Sequence, residues 1–385
     1  MTCHYRRYRC ATLIAGIFLV LLTASPARAQ MGVPAPAIAA HAWLLLDLGS
    51  GQTLAENAAD QRIEPASLTK LMTAYLVFAA LKQGNLKLDQ TVPVSDKAWK
   101  AAGSRMFVEP NRPVTVDELI HGMVIQSGND ASIALAEAAA GSEAAFVERM
   151  NHEAQRLGLG ATHFVNATGL PDPQHYSTAR DLATLSAALI RDFPDRYPIY
   201  AEKGYTYNKI PQPNRNRLLW LDPSVDGVKT GHTESAGYCL IASSKRGPRR
   251  LLSVLLGADS DAGRAQESQK LLNFGFQYFD AIRFYRKDQA ISHLKVFKGS
   301  DNDVPVGFPD DFVLSVPKGL AEKFKVQLTS RQPLLAPVQQ GERVGTLKLM
   351  LDDKVWGEYP VAALKTVPVA GVFGRAWDTL KLWLQ

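Results

Sequence analysis

A serine hydroxyl becomes a useful nucleophile only with a base beside it. In this sequence Ser67-Leu68-Thr69-Lys70 offers such a pair at the start of an expected helix. A spacing of three puts both side chains on one helical face, one above the other. Ser67 would lie in the first turn, where free N–H groups and the helix dipole favour a developing anion. A lysine made neutral by burial or by another cation could take the hydroxyl proton. The pattern alone is weak, because Ser292–Lys295 and Ser315–Lys318 repeat it. Those two fall among alternating apolar runs expected to be strands, where that spacing does not align the side chains.

Two further stretches could complete a site. Ser127-Gly128-Asn129 falls in an expected link between helices. A hydroxyl there can relay protons between a lysine and a leaving amine, and the Asn129 amide can hold a substrate carbonyl and contact Lys70. The competing reading is a plain turn, since Ser, Gly and Asn are turn formers. Lys229-Thr230-Gly231-His232 lies on an expected strand. Lys229 offers a fixed positive charge to a carboxylate, and Thr230 a hydroxyl donor beside it. Gly231 would let an extended peptide approach the strand closely. The alternative is an exposed strand end with a solvated lysine. Lys229 near Lys70 would also push that amine toward neutrality. A literal Ser300-Asp301-Asn302 sits in a polar loop and reads as a turn.

The elements that must position these groups follow from pattern. His41 to Asp47 and Gln52 to Glu56 read as two strands around Gly49-Ser50-Gly51. A helix is expected from Ala66 to Gln83, closed by Gly84. Thr115 to Glu118 forms a capping box opening a helix that ends at Gln126. Others run from about Asp130 to Ala140, from Ser142 to before Gly158, from Ser177–Thr178 to Arg191, and from Gly263 to Phe279. Strands are expected at Val228–Thr230, Tyr238–Ser244 and Leu251–Ala258. Strands at both ends with helices between them predict an α+β fold, an antiparallel sheet packed with helices. Phe284 to Val367 lacks helical periodicity and reads as a small all-β domain, with a hairpin turning at Asp352-Asp353-Lys354. The expected division is 1–29 as a leader, 30–283 as the acyl-transfer domain, 284–367 as the β domain and 368–385 as an amphipathic terminal helix.

The 385 residues carry a formal charge of +6. The four arginines at 6, 7, 9 and 28 leave with the leader, so 39 basic residues face 37 acidic ones in the remainder. No net basic field survives, which argues against a nucleic-acid partner. Arg6, Arg7 and Arg9, the apolar run Ala11–Ala24 and Ala27-Arg28-Ala29 match an export signal with a mature start near Gln30; an uncleaved anchor is the other reading. Cys239 is then the one remaining cysteine, in an apolar run that suits a buried small hydrophobe better than a reactive thiol. The eight histidines lack ligand spacing and no His-Glu-x-x-His occurs, so no metal and no cofactor is expected. At the C-terminus Phe373, Trp377, Leu380 and Leu384 share a helical face opposite Arg375, Asp378, Lys381 and Gln385. That segment is too short to span a bilayer and suits lying on a membrane surface, or docking on the β domain.

The three motifs in this order are the signature of penicillin-binding proteins and class A β-lactamases. From His41 to the end the chain resembles the low-molecular-mass serine D-alanyl-D-alanine carboxypeptidases. The resemblance rests on Pro65-Ala66-Ser67-Leu68-Thr69-Lys70-Leu71-Met72-Thr73, Gln126-Ser127-Gly128-Asn129-Asp130-Ala131 and Asp226-Gly227-Val228-Lys229-Thr230-Gly231-His232-Thr233, and extends to Leu271–Phe276 and Phe373–Trp377. It implies removal of the terminal D-alanine of a peptidoglycan stem peptide through an acyl-enzyme, with β-lactams as covalent inhibitors. Ser67 would be the nucleophile, Lys70 the base, Ser127 the relay and Asn129 a substrate-positioning group. Lys229 and Thr230 would bind the terminal carboxylate, with Arg215 and Arg264 nearby. The N–H groups of Ser67 and His232 would form the oxyanion hole. Such an enzyme acts outside the cytoplasmic membrane, attached peripherally. Some relatives have His-Gly-Leu where this chain has Thr168-Gly169-Leu170, so a histidine role there is absent. A class A β-lactamase would need a glutamate for deacylation, and no Glu-x-x-Leu-Asn string lies between the second and third motifs. Endopeptidase action, or a module that is acylated without turnover, remains compatible with the motifs.

Overall fold

The computed structural model describes residues 33–383. The expected leader and the site of its cleavage lie outside these residues, as does Leu384 of the expected terminal apolar face.

A five-stranded antiparallel sheet forms the centre. Its order is Gln52–Asn57, Ala42–Asp47, Arg249–Ala258, Gly237–Arg246, Val225–Thr233. The first strands in sequence thus pair with the last ones of the domain, as the ends-and-middle pattern predicts. Period-two alternation sends neighbouring residues to opposite faces. Ala42 and Leu44 point into one apolar cluster with the helical bundle, while Trp43 and Leu45 join a second cluster with Leu271, Leu272 and Phe274 of the helix Asp261–Tyr278. The sheet is therefore covered on both faces. Burying each such large apolar side chain contributes roughly 1.5–3 kcal/mol.

The bundle surrounds the helix Lys70–Lys82, whose Leu71, Met72, Ala74, Val77 and Phe78 are all buried. A helix enclosed on all sides suits a position that must not move. Its neighbours begin where their capping residues say they should. Thr115 and Glu118 exchange both capping-box hydrogen bonds, and Ser142 and Thr178 accept from Ala145 and Asp181 backbone N–H groups. Gly141 closes the helix Asn129–Ala140 with a φ of 81°.

One difference from the expected pattern matters for chemistry. The chain from Ala66 to Thr69 is a 3-10 turn, and the α-helix starts only at Lys70. In 3-10 geometry residues three apart eclipse, which brings Lys70 over Ser67 more directly than an α-helix would. The second helix, Val116–Val124, also stops two residues short of Gln126, leaving a longer link before Asn129.

The β domain has a six-stranded sheet and a separate pair, Phe279–Tyr285 with Phe312–Pro317. The helix before it ends at Tyr278 and the chain passes straight into this ladder, so the strand straddles the division expected at residues 283 and 284. The hairpin Arg343–Leu351 to Lys354–Ala363 turns through Asp352 and Asp353, both at positive φ, as a two-residue hairpin loop requires. Val304, Val306, Leu314, Leu347, Leu349 and Val361 fill the core. The two parts meet at a buried polar knot. Asp47 pairs with Arg249 at 2.7 Å and accepts from the Ser315 hydroxyl at 2.7 Å, and Gln52 accepts from the Ser315 backbone N–H at 2.6 Å. Ser315 belongs to one of the repeated Ser-x-x-Lys strings and here serves the junction. The terminal helix Val372–Trp383 is tied to the β domain where the Lys298 backbone N–H donates to Asp378 at 2.6 Å. Among the described residues, no helix is long and apolar enough to cross a membrane.

Candidate active site

Ser67, Ser127, Asn129, Thr230, Gly231, His232, Arg215 and Arg264 all line one cleft of about 890 Å³. Its floor is the serine turn, one wall is the link before Asn129, and the other is the edge strand Val225–Thr233. Lys70 and Lys229 lie just beneath the surface, 1 % and 3 % exposed.

The Lys70 Nζ makes three contacts: the Ser67 hydroxyl at 2.9 Å, the Asn129 side-chain oxygen at 2.7 Å and the Thr168 carbonyl at 2.6 Å. Two of these partners can only accept. The Asn129 amide is oriented by its own NH2, which donates to the Ala102 carbonyl at 2.7 Å, so its oxygen must face Lys70. A neutral amine has two hydrogens and one lone pair. With the hydrogens directed at Asn129 and Thr168, the lone pair faces Ser67. Burial is the main reason that the Lys70 pKa falls to about 7; the positive charge of Arg215 adds to it and Asp130 opposes it. The sequence left burial or a second cation such as Lys229 as possible causes, and burial is the larger one.

Lys229 donates to the Ser127 hydroxyl at 2.9 Å and to the Thr230 carbonyl at 3.1 Å. Its pKa lies well below the ordinary lysine value, first through burial and then through Lys70, Arg215 and Arg264. The strand and the helix link thus meet through a side-chain bond. Ser127 stands at a φ of 66°, an uncommon conformation for a non-glycine residue and one found where a functional group is held on display. A Cβ at Gly231 would come within 3.3 Å of the Ser67 backbone nitrogen and 3.2 Å of the Pro65 carbonyl, so the strand or the turn would have to give way slightly to admit one. That contact places the strand directly against the serine turn. His232 is exposed, with its ring centroid 4.1 Å from that of Tyr238 and tilted 37° to it.

Arg264 lines the cleft and is also bonded to the strand behind it. Its guanidinium donates to the Gly231 carbonyl at 3.1 Å and the Cys239 carbonyl at 3.5 Å, and is paired with Asp261. It braces the strand from within and borders the cleft while doing so. Cys239 is fully buried, and burial raises its thiol pKa to about 11.

Several contributors escaped sequence reasoning. Asp130 accepts from three consecutive backbone N–H groups, Met106, Phe107 and Val108, at 2.9, 2.8 and 3.2 Å. Charge-assisted bonds of this kind are worth about 1.5–3 kcal/mol each and fix the loop that carries Gly103 and Ser104 into the cleft. Asn166 accepts from the Thr168 and Gly169 N–H groups and so shapes the turn that presents the Thr168 carbonyl. Gly169 has a φ of 84°, and a Cβ there would stand 1.7 Å from the Ala66 carbonyl oxygen. The Asn-x-x-Gly spacing was the available signal. The Thr168 contact uses the backbone, so the lack of histidine there leaves it intact.

With this geometry in view, the chain matches two family models, D-alanyl-D-alanine carboxypeptidase over residues 29–260 and the C-terminal domain of penicillin-binding protein 5 over residues 279–369. It is 43% identical over 369 residues to D-alanyl-D-alanine carboxypeptidase DacC of Escherichia coli, covering 94% of this chain and 92% of that one. It is 40% identical to D-alanyl-D-alanine carboxypeptidase DacA of Haemophilus influenzae, covering 99% and 98%. The crystal structure of penicillin-binding protein 5 from Haemophilus influenzae superposes with a TM-score of 0.85 at 41% identity, covering 88% of this chain and all of that one. Penicillin-binding protein D2 from Listeria monocytogenes, in an ampicillin-bound form, matches 63% of this chain at 32% identity with a TM-score of 0.59.

Proposed function

Since the chain belongs to the D-alanyl-D-alanine carboxypeptidase family, we propose that its own residues carry the reaction as follows. The substrate is a peptidoglycan stem peptide ending in D-Ala-D-Ala. Neutral Lys70 takes the Ser67 hydroxyl proton while the Ser67 oxygen attacks the penultimate D-alanine carbonyl. The Ser67 and His232 backbone N–H groups receive the oxyanion. As the C–N bond breaks, the proton passes from Lys70 to the leaving amine through Ser127, and the terminal D-alanine departs. Water then hydrolyses the ester and returns the proton to the Lys70–Ser67 pair. A β-lactam follows the first half of this course and leaves a long-lived adduct on Ser67. Endopeptidase cleavage of a cross-link would use the same groups.

Lys229 and Thr230 hold the terminal carboxylate, with Arg215 adding positive charge at the cleft. Asn129 has a second duty, because the amide that orients Lys70 also borders the substrate channel. The observation that carries this reading is the buried Lys70 amine 2.9 Å from Ser67, with both its remaining partners restricted to accepting. The test is release of free D-alanine from a pentapeptide. Wild type should release it and Ser67→Ala should not; equal release by both would overturn the assignment.

Attachment to the outer face of the cytoplasmic membrane through the helix Val372–Trp383 accompanies this reading. Phe373 is 93% and Trp383 84% exposed, and Arg375 on the same helix suits anionic headgroups. The export signal read from residues 1–29 fits the same compartment.

A further inference from the structure

His175 is 2% exposed and lies outside the three motifs. Its ring joins two segments. The Val165 backbone N–H donates to Nδ1 at 3.2 Å, so Nδ1 is an acceptor and Nε2 carries the hydrogen. Nε2 then donates to the Thr69 hydroxyl at 2.8 Å. Both nitrogens are satisfied only in the neutral ring. One turn on, the Thr73 hydroxyl donates to the Ala167 carbonyl at 2.8 Å. Thr69 and Thr73 therefore hold the loop of residues 163–176 on either side of Lys70, and the carbonyl between those anchor points is that of Thr168, which receives the Lys70 amine.

We propose that His175 is a positioning residue for the acyl transfer. Through Thr69 it clamps the Thr168 carbonyl against Lys70, keeps water away from the amine, and so keeps its lone pair directed at Ser67. The inference rests on Lys70 acting as the base. The groups whose charges act on the ring are Asp172 and His163 on its own loop and Lys70 on the serine helix; burial is the largest influence against the imidazolium, positive charge on His163 or Lys70 adds to it, and Asp172 opposes it.

The test uses His175→Gln and Thr69→Val in the full chain. The first keeps a donor for Thr69, and the second removes the hydroxyl at nearly constant volume. Acylation by a fluorescent penicillin is followed from pH 5 to 9, alongside the thermal midpoint. A loosened clamp admits water to Lys70 and weakens the burial that depresses its pKa. Both variants should acylate about fivefold more slowly at pH 7, with the rising limb displaced upward by about one pH unit. His175→Leu, lacking any donor, should be slower than His175→Gln. If Thr69→Val and His175→Gln lower only the thermal midpoint while their pH profiles overlay the wild type, the clamp is merely structural and the proposal is wrong. Failure of wild type to form a Ser67 adduct would instead defeat the catalytic reading beneath it.

Discussion

Lys229 reaches from the edge strand to the Ser127 hydroxyl, 102 residues away in sequence, at 2.9 Å. This bond connects the third motif to the second, while Lys70 and Asn129 connect the second to the first at 2.7 Å. Two lysines thus share one buried pocket, and among the described residues no carboxylate is bonded to either amine, an arrangement that favours losing a proton.

The pH dependence follows directly. Only the neutral form of Lys70 can accept the Ser67 proton, and its pKa lies near 7. Acylation by a penicillin should rise with pH through about 7 and then level, measured as the second-order rate from pH 5 to 9. A limb centred near the ordinary lysine value would contradict the burial argument. Arg215→Gln removes a charge that lowers this pKa, so the limb should move upward.

Asn129→Asp places a carboxylate where a neutral oxygen now sits. An opposite charge at hydrogen-bond distance stabilises the ammonium and raises the Lys70 pKa by about 1–3 units. Acylation at pH 7 should fall about 5–500-fold, with partial recovery at pH 9. Loss without recovery would show that the amide acts mainly on substrate.

Gly169→Ala meets both a positive φ and the Ala66 carbonyl oxygen at 1.7 Å. It should cost about 2–4 kcal/mol, summing left-handed strain and overpacking. Gly160→Ala, with nothing within 4 Å, is the control. Urea titration of both variants checks the difference.

Burial lowers the His175 pKa to about 4. The unfolded chain takes up that proton near the ordinary histidine value of about 6.5, so stability is intact above it and declines as pH falls toward 4. Thermal midpoints between pH 7 and 4 should decline less steeply in His175→Gln than in wild type.

Ending the chain before Ala370 removes the exposed Phe373 and Trp383. Such a protein should remain catalytically active and partition into the soluble fraction. An unchanged membrane fraction would count against attachment by this helix.

Much of the frame was legible because its signals are local. Thr115 with Glu118, Gly141, Ser142 and the alternation around Leu44 each specify an element through a short-range rule. The motifs were legible because their chemistry resides in side chains. What escaped belongs to the backbone and to contacts distant in sequence. The Thr168 carbonyl had only the Asn166-x-x-Gly169 spacing to mark it, and the positive φ at Ser127 and Ala66 has no signal in local propensity. The switch from 3-10 turn to α-helix at Lys70 is likewise reported by no periodicity. The charge of Arg264 is visible in sequence, while its bonds to the Gly231 and Cys239 carbonyls are not.

The central claim is that Ser67 carries the acyl group. Brief exposure to benzylpenicillin, trypsin digestion and mass spectrometry test it most directly, because cleavage after Arg62 and Lys70 releases Ile63–Lys70 with Ser67 as its one serine. The adduct should reside on Ser67 in that peptide and be absent from Ser67→Ala. An adduct on any other peptide, or one that persists in Ser67→Ala, would contradict the account.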